Sequence, residues 1–191
     1  MIVNNNVNVY VSTGAVYLYH VDYNQEVTTE IAKFSLKDGE INAVSAADVK
    51  GRVRDTFAIN EYQNKLRLLT AGNNTNEGTN LYILDEELKL TGKLEGIAPG
   101  ETIYAARYLG DMAYFVTYRN IDPLFAADLS DPAKPVILGE LKITGYSEYL
   151  HMWENGTMFG IGYETDPDTG NREGIKLSMF DVSNPSDLQT A

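Results

Sequence analysis

The chain has 191 residues, no cysteine and a net charge of −12, from 27 acidic against 15 basic side chains. Without thiols there are no disulfides, thiolate metal sites or cysteine nucleophiles. The acidity argues against nucleic acid and anionic membrane surfaces as partners, because both need a basic footprint.

No apolar run reaches the roughly 18–20 residues that cross a bilayer, so membrane insertion is not expected. Residues 1–8 (MIVNNNVN) lack the basic start and long apolar stretch of a signal peptide, which leaves the compartment open.

In chain order, residues 7–12 (VNVYVS) alternate apolar and polar side chains, turn at Thr13-Gly14 and continue through 15–21 (AVYLYHV). That is the period-2 pattern of half-buried strands. Residues 31–37 (IAKFSLK) and 40–45 follow as a third and fourth strand. The same order of elements then recurs. Residues 57–71 (FAINEYQNKLRLLTA), 104–118 (YAARYLGDMAYFVTY) and 149–163 (YLHMWENGTMFGIGY) each read as apolar stretch, polar turn, apolar stretch. Their opening aromatics, Phe57, Tyr104 and Tyr149, lie 47 and 45 residues apart.

Each unit continues into a third strand ending in an acidic turn: 81–85 (LYILD), 124–128 (LFAAD) and 177–181 (LSMFD). Two of these turns match closely, Asp128-Leu-Ser-Asp-Pro132 and Asp181-Val-Ser-Asn-Pro185. Asp or Asn before Pro initiates tight turns, with the carboxylate accepting backbone amides two residues on. The fourth strands are 88–94, 136–143 and a last one near Leu188, with Gly-Lys-Leu at 92–94 and Gly-Glu-Leu at 139–141 in matching places. No segment of helical length shows an amphipathic face. Polar, glycine-rich insertions, 72–79 and 164–174, fall between second and third strands, as loops on one face of a repeat array do.

A period of forty-odd residues built from short strands is the pattern of β-propeller blades. The expected fold is an all-β propeller of four four-stranded blades, approximately 7–47, 55–96, 102–143 and 146–191. Because the sequence stops inside its last strand, a partial ring, a fragment of a larger propeller, is expected. Exposed edges and blade faces of such a ring invite a second chain, so a homodimer through blade edges is a candidate assembly.

The runs 92–118 (GKLEGIAPGETIYAARYLGDMAYFVTY), 122–129 (DPLFAADL), 130–141 (SDPAKPVILGEL) and 147–151 (SEYLH) resemble secreted bacterial and archaeal proteins that carry a C-terminal β-propeller domain. The resemblance extends from about residue 31 to 185. It departs at Met152, where the family usually has proline. It implies a propeller exported to the cell envelope or the medium, and a domain longer than this chain. It implies no reaction and therefore no catalytic residues.

Polar residues on first strands line a propeller's channel, which makes Arg107, Glu148 and His151 the candidate ligand-binding set. A histidine there can donate, accept or act as a base, and an arginine can clamp a carboxylate. The plainer roles are a structural histidine and an inter-blade salt bridge from Arg107 to Glu148 or Asp111. His20 is expected at the surface. Asp166, Asp168, Asn171 and Glu173 offer oxygen ligands to a hard cation, which makes calcium the one cofactor to consider. Pro167 and the glycine offset depart from an EF-hand loop, and an acidic hairpin is the competing reading.

No Ser-His-Asp set can be assembled from two histidines, neither near a G-x-S-x-G elbow. The leading expectation is a surface binding or scaffold module that recognises protein or glycan through one propeller face. The alternative is a hydrolase or lyase acting on a surface polymer at the channel mouth.

Overall fold

The computed structural model describes residues 7–119, 122–154, 156–166 and 169–191. Among these residues the strands form four antiparallel sheets, each a meander in sequence order. Blade 1 holds β1 (Asn8–Val11), β2 (Ala15–Asp22), β3 (Thr28–Lys37) and β4 (Glu40–Lys50). Blade 2 holds β5 (Arg52–Val53), β6 (Ile59–Tyr62), β7 (Lys65–Ala71), β8 (Thr79–Leu84) and β9 (Leu90–Ile97). Blade 3 holds β10 (Thr102–Leu109), β11 (Met112–Tyr118), β12 (Asp122–Asp128) and β13 (Val136–Ile143). Blade 4 holds β14 (Tyr146–Met152), β15 (Thr157–Thr165), β16 (Arg172–Asp181) and β17 (Gln189–Thr190). The all-β, four-bladed architecture read from the repeat is therefore the observed one.

Local chemistry sets the turns. Asp38-Gly39 and Gln63-Asn64 both have positive φ at their two central residues, the backbone that two-residue hairpins require. The acidic turns behave as their spacing suggests: Ser130 N donates to Asp128 Oδ1 at 2.8 Å, and Ser183 N to Asp181 Oδ1 at 2.9 Å. Asp85 accepts from both Glu87 N and Lys89 N, at 3.0 and 2.8 Å. These carboxylates are thus committed to their own loops.

The first strand of blade 2 differs from expectation. Asp55 Oδ1 accepts the Phe57 amide at 2.8 Å and caps a 3-10 turn, Thr56–Ala58, that splits the strand into β5 and β6. Both halves still pair with β7. Phe57 is thereby lifted out of the ladder and toward the first strands of the other blades.

The two middle blades each pack one face on the blade before and one on the blade after. β7, β8 and β11 lie in the two middle blades and are buried almost without interruption, on both faces. β2 and β15, in the end blades, are largely apolar but alternate between buried and less buried positions along most of their length. One core joins blades 1 to 3, around Tyr17, Leu68, Leu81 and Phe115. A second joins blades 3 and 4, around Leu124, Leu150, Met158 and Phe180. The first strands of adjacent blades also meet directly, β10 against β14 and against the Thr56–Ala58 turn.

A meander places its second-to-third loops at the end where one blade crosses to the next. The crossover end therefore carries the loops after β2, β7, β11 and β15.

Candidate functional site

Register decides which inner-strand side chains are equivalent. Both β10 and β14 contain a bulge, at Tyr104 and at Glu148, each between two paired neighbours. Aligning the bulges makes Arg107, opposite Tyr114, the counterpart of His151, opposite Phe159. Asn60, opposite Arg67, holds the same place in blade 2. The repeat of opening aromatics is thus one residue out of step with the structural repeat, because Tyr104 corresponds to Glu148 and not to Tyr149.

Arg107 and His151 come to one wall through two aromatic rings. The Arg107 guanidinium lies 5.8 Å from the centre of the Phe57 ring, and Phe57 meets Tyr149 edge-on at 5.6 Å. The Tyr149 hydroxyl is 3.2 Å from His151 Nδ1, with the two rings stacked. A cleft of about 340 Å³ opens here, lined by Tyr10, Phe57, Asn60, Arg107, Tyr108 and Met152. Arg107 therefore meets an aromatic face where a salt bridge to Glu148 or Asp111 had been one expectation.

Glu148 goes elsewhere. As the bulged residue it leaves the ladder, and its Oε1 lies 3.3 Å from Arg172 Nη2 on β16. That pair belongs to a layer of tyrosines at the crossover end. Tyr104 contacts Tyr118 at 5.6 Å and Tyr146 at 4.8 Å; Tyr118 and Tyr146 are 4.4 Å apart, and Tyr146 and Tyr163 5.8 Å. Guanidinium groups flank the layer. Arg54 sits 4.8 Å above Tyr104, and Arg172 sits 4.1 Å above Tyr163 and 5.4 Å above Tyr146. Such stacking gains cation–π and area energy while leaving guanidinium N–H groups to donate at the edges.

Two polar atoms in the layer bear on its chemistry. Burial pushes the Tyr146 hydroxyl above its ordinary pKa, partly offset by Arg172. The Tyr118 hydroxyl is buried and has no hydrogen-bond partner among the described residues, an arrangement that costs free energy unless something else satisfies it.

Beside the layer lie two adjoining clefts that share Tyr23, Arg52 and Thr102, of about 280 and 380 Å³. Asn73, Asn74 and Glu101 add to one, Arg54 and Tyr104 to the other. Four of the six arginines of this acidic chain (Arg52, Arg54, Arg119 and Arg172) occupy the crossover end. Sequence reasoning missed this layer because its tyrosines sit at or near strand ends, two in blade 3 and two in blade 4. The usable signal was the recurrence of Tyr104 and Tyr146 just after the crossovers into blades 3 and 4.

In the candidate cation hairpin, Asp166 Oδ1 accepts from Thr169 N at 2.7 Å and Thr169 Oγ1 at 2.9 Å. Asp166 N donates to the Asn171 carbonyl at 2.9 Å. Asp168 lies outside the described residues, and Glu173 is exposed on β16. Among the described residues no group of three or more acidic or histidine side chains is placed to hold a metal ion. His20 stands within β2 and is half-buried, where full exposure at a strand end was expected.

The four meanders and their shared faces find a direct counterpart: a family model, the β-propeller domain, matches residues 1–191. The chain belongs to that family. Within it, the propeller is similar to an uncharacterised protein of Archaeoglobus fulgidus, 43% identical over 155 residues. That alignment covers 81% of this chain and 23% of the relative. It is likewise similar to the uncharacterised protein MJ1554 of Methanocaldococcus jannaschii, 41% identical over 167 residues, which is 84% of this chain and 25% of the relative. The propeller thus spans about a quarter of the length of these relatives.

Proposed function

We propose that this propeller is a recognition module without catalysis, holding a protein or a glycan at its crossover end. The observation that carries the reading is the tyrosine layer flanked by Arg54 and Arg172. Tyrosine and arginine give large contact area and directed donors at low entropic cost, which is why they dominate binding hot spots. The unpartnered Tyr118 hydroxyl supports a ligand or water at the same place. The setting we assign is the cell surface or the extracellular space, on the strength of the resemblance to secreted propellers. A second copy of the chain, paired through blade edges, is the other partner in this reading.

A hydrolase or lyase at the channel mouth is the rival. It draws support from Arg107 and His151 sharing a wall, and loses support from Glu148 pairing with Arg172. Neither reading calls on a cofactor. Calcium enters only as a proposed ligand of residues 166–173, checked by comparing melting temperatures with Ca²⁺ and with chelator.

The test is a titration of the propeller against neutral and uronate-bearing polysaccharides and against cell-envelope protein. Binding that falls at least tenfold in Arg54→Ala and Arg172→Ala, with the fold intact, supports the reading. Binding indifferent to both substitutions, or turnover of a polysaccharide that His151→Ala abolishes, overturns it.

A further inference from the structure

The two adjoining clefts at the crossover end are built by three consecutive blades and sit over blade 2, between blades 1 and 3. The β2–β3 loop of blade 1 supplies Tyr23, and β5 with the residue after it supplies Arg52 and Arg54. The β7–β8 loop supplies Asn73, and the start of β10 supplies Thr102 and Tyr104.

The two guanidinium groups are in different states. Arg52 and Arg54 flank the buried Val53, and both line the larger cleft. Arg54 is already engaged: it stacks on Tyr104, its Nη1 donates to the Ile103 carbonyl at 3.2 Å, and its Nε lies 3.5 Å from Asp55 Oδ2. Arg52 is exposed and, among the described residues, has no hydrogen bond, ion pair or ring contact. The acids of the cleft walls are engaged elsewhere. Lys50 Nζ holds Glu26 Oε1 at 2.9 Å and Glu77 Oε2 at 3.2 Å, and Glu101 Oε2 accepts the Thr117 hydroxyl. An arginine left unpaired in a chain with 27 acidic and 15 basic side chains offers its planar fork to a carboxylate from outside.

The remaining lining says what carries that carboxylate. Tyr23 is 64% exposed and presents its ring to both clefts. Asn73 and Thr102 add a side-chain amide and a hydroxyl. The loop that bears Asn73 is fixed in place: Gly72 N donates to the Gly78 carbonyl at 2.8 Å, and Asn74 Nδ2 donates to Glu77 Oε1 at 3.1 Å. An aromatic ring, a free guanidinium fork and small hydrogen-bonding groups around one cleft match a uronate pyranose. Its C–H face stacks on tyrosine, its carboxylate takes paired N–H bonds, and its hydroxyls meet the amide and the hydroxyl. Volumes of about 280 and 380 Å³ suit ligands of that size.

We propose that these clefts bind a uronate unit of an acidic glycan, with Arg52 clamping its carboxylate and Tyr23 stacking on its ring. The proposal rests on the reading of the crossover end as a recognition surface and names the ligand class. An acidic peptide brings a carboxylate without a pyranose ring, and is the competitor that the experiment includes.

The experiment is calorimetric titration with a galacturonate disaccharide, its carboxyl-reduced neutral counterpart and a tetraglutamate peptide. The proteins are the parent chain, Arg52→Gln, Arg52→Lys and Lys37→Gln. Arg52 is exposed and unpaired, so its variants should keep the parent melting transition. Expected is uronate binding at least roughly tenfold tighter than that of the neutral sugar, a difference that Arg52→Gln removes. Arg52→Lys, which keeps the charge without the fork, should recover only part of it. Lys37→Gln removes one charge at the opposite end and should leave it unchanged.

No binding of the disaccharide, equal binding of its neutral counterpart, tighter binding of the peptide, or indifference to Arg52→Gln each overturns the proposal. Uronate or cell-envelope protein still bound through Arg54 and Arg172 would then leave the crossover end standing as a recognition surface. Failure of all three probes and of envelope protein to bind would remove that reading as well.

Discussion

Gly92 lies directly under the carbonyl of Pro132. A Cβ added to Gly92 would fall 2.1 Å from that oxygen and 3.0 Å from Pro135 Cδ. One blade further on, Gly139 stands in the same relation to the Pro185 carbonyl, at 2.4 Å. The fourth strand of a blade is thus clamped by the acidic, proline-containing turn of the next, and the repeated Gly-Lys-Leu and Gly-Glu-Leu mark the clamp.

Gly92→Ala and Gly139→Ala should therefore each destabilise the propeller by about 1–3 kcal/mol, the usual cost of overpacking against backbone that cannot give way. In a chain of this size that is a fall of roughly 2–4 °C in melting temperature per kcal/mol. Gly14, with nothing within 4 Å of its added Cβ, supplies the control. Equal melting temperatures for all three variants would remove the clamp from the account.

Arg67 is a buried cation whose neighbours compensate it completely enough to be tested. It is 3% exposed and lies between the rings of Tyr62 and Tyr108, at 4.7 and 4.9 Å. Its Nε donates to Asn60 Oδ1 at 3.0 Å, and its Nη1 to the Gly110 carbonyl of blade 3 at 2.7 Å. Burial pulls its pKa below the usual arginine value, yet arginine keeps its proton at neutral pH. Arg67→Met leaves both acceptors unpaired and should cost about 2–4 kcal/mol in denaturant unfolding. Arg67→Lys keeps the charge but not the planar fork, so it should recover less than half of that loss. Full recovery by lysine would show that only charge matters there.

Much of the fold was legible because its signals are local. Alternation marked the strands, short polar turns between apolar stretches marked hairpins, and Asp128 and Asp181 announced turns that their carboxylates do cap. The candidate site was less legible because register is not local. One bulged residue at Glu148 turns its side chain away from the ladder toward Arg172, and nothing in SEYLH distinguishes it from its neighbours. Phe57 was visible as a repeat aromatic, but its displacement by the Asp55 cap was not. The tyrosine layer needed the third dimension: Tyr104, Tyr118, Tyr146 and Tyr163 are spread over some sixty residues and meet only because adjacent blades bring their crossover ends together.

Part of the acid sensitivity should sit in blade 4. Glu164 Oε2 lies 2.8 Å from Lys176 Nζ across the β15–β16 ladder, and Lys176 also donates to Thr144 Oγ1 at 3.2 Å, in the crossover from blade 3. Lys176 chiefly, helped by hydrogen bonds from Thr144 and the Thr165 amide, holds the Glu164 carboxyl below its ordinary value of 4.5. A carboxyl with a lowered folded pKa stabilises the fold fully above its unfolded value. That contribution is lost as pH falls from about 4.5 through the lowered folded value, where the native carboxylate is finally protonated.

Glu164→Gln should thus melt below the parent chain at pH 7, and the two curves should converge as pH falls through that window. Because the pair is partly exposed, the gap should be modest and should shrink with added salt. Melting temperatures of both proteins from pH 7 to about pH 3 decide the matter. A gap that stays constant with pH would mean that Gln perturbs packing, and that the carboxylate–ammonium contact does not stabilise this blade.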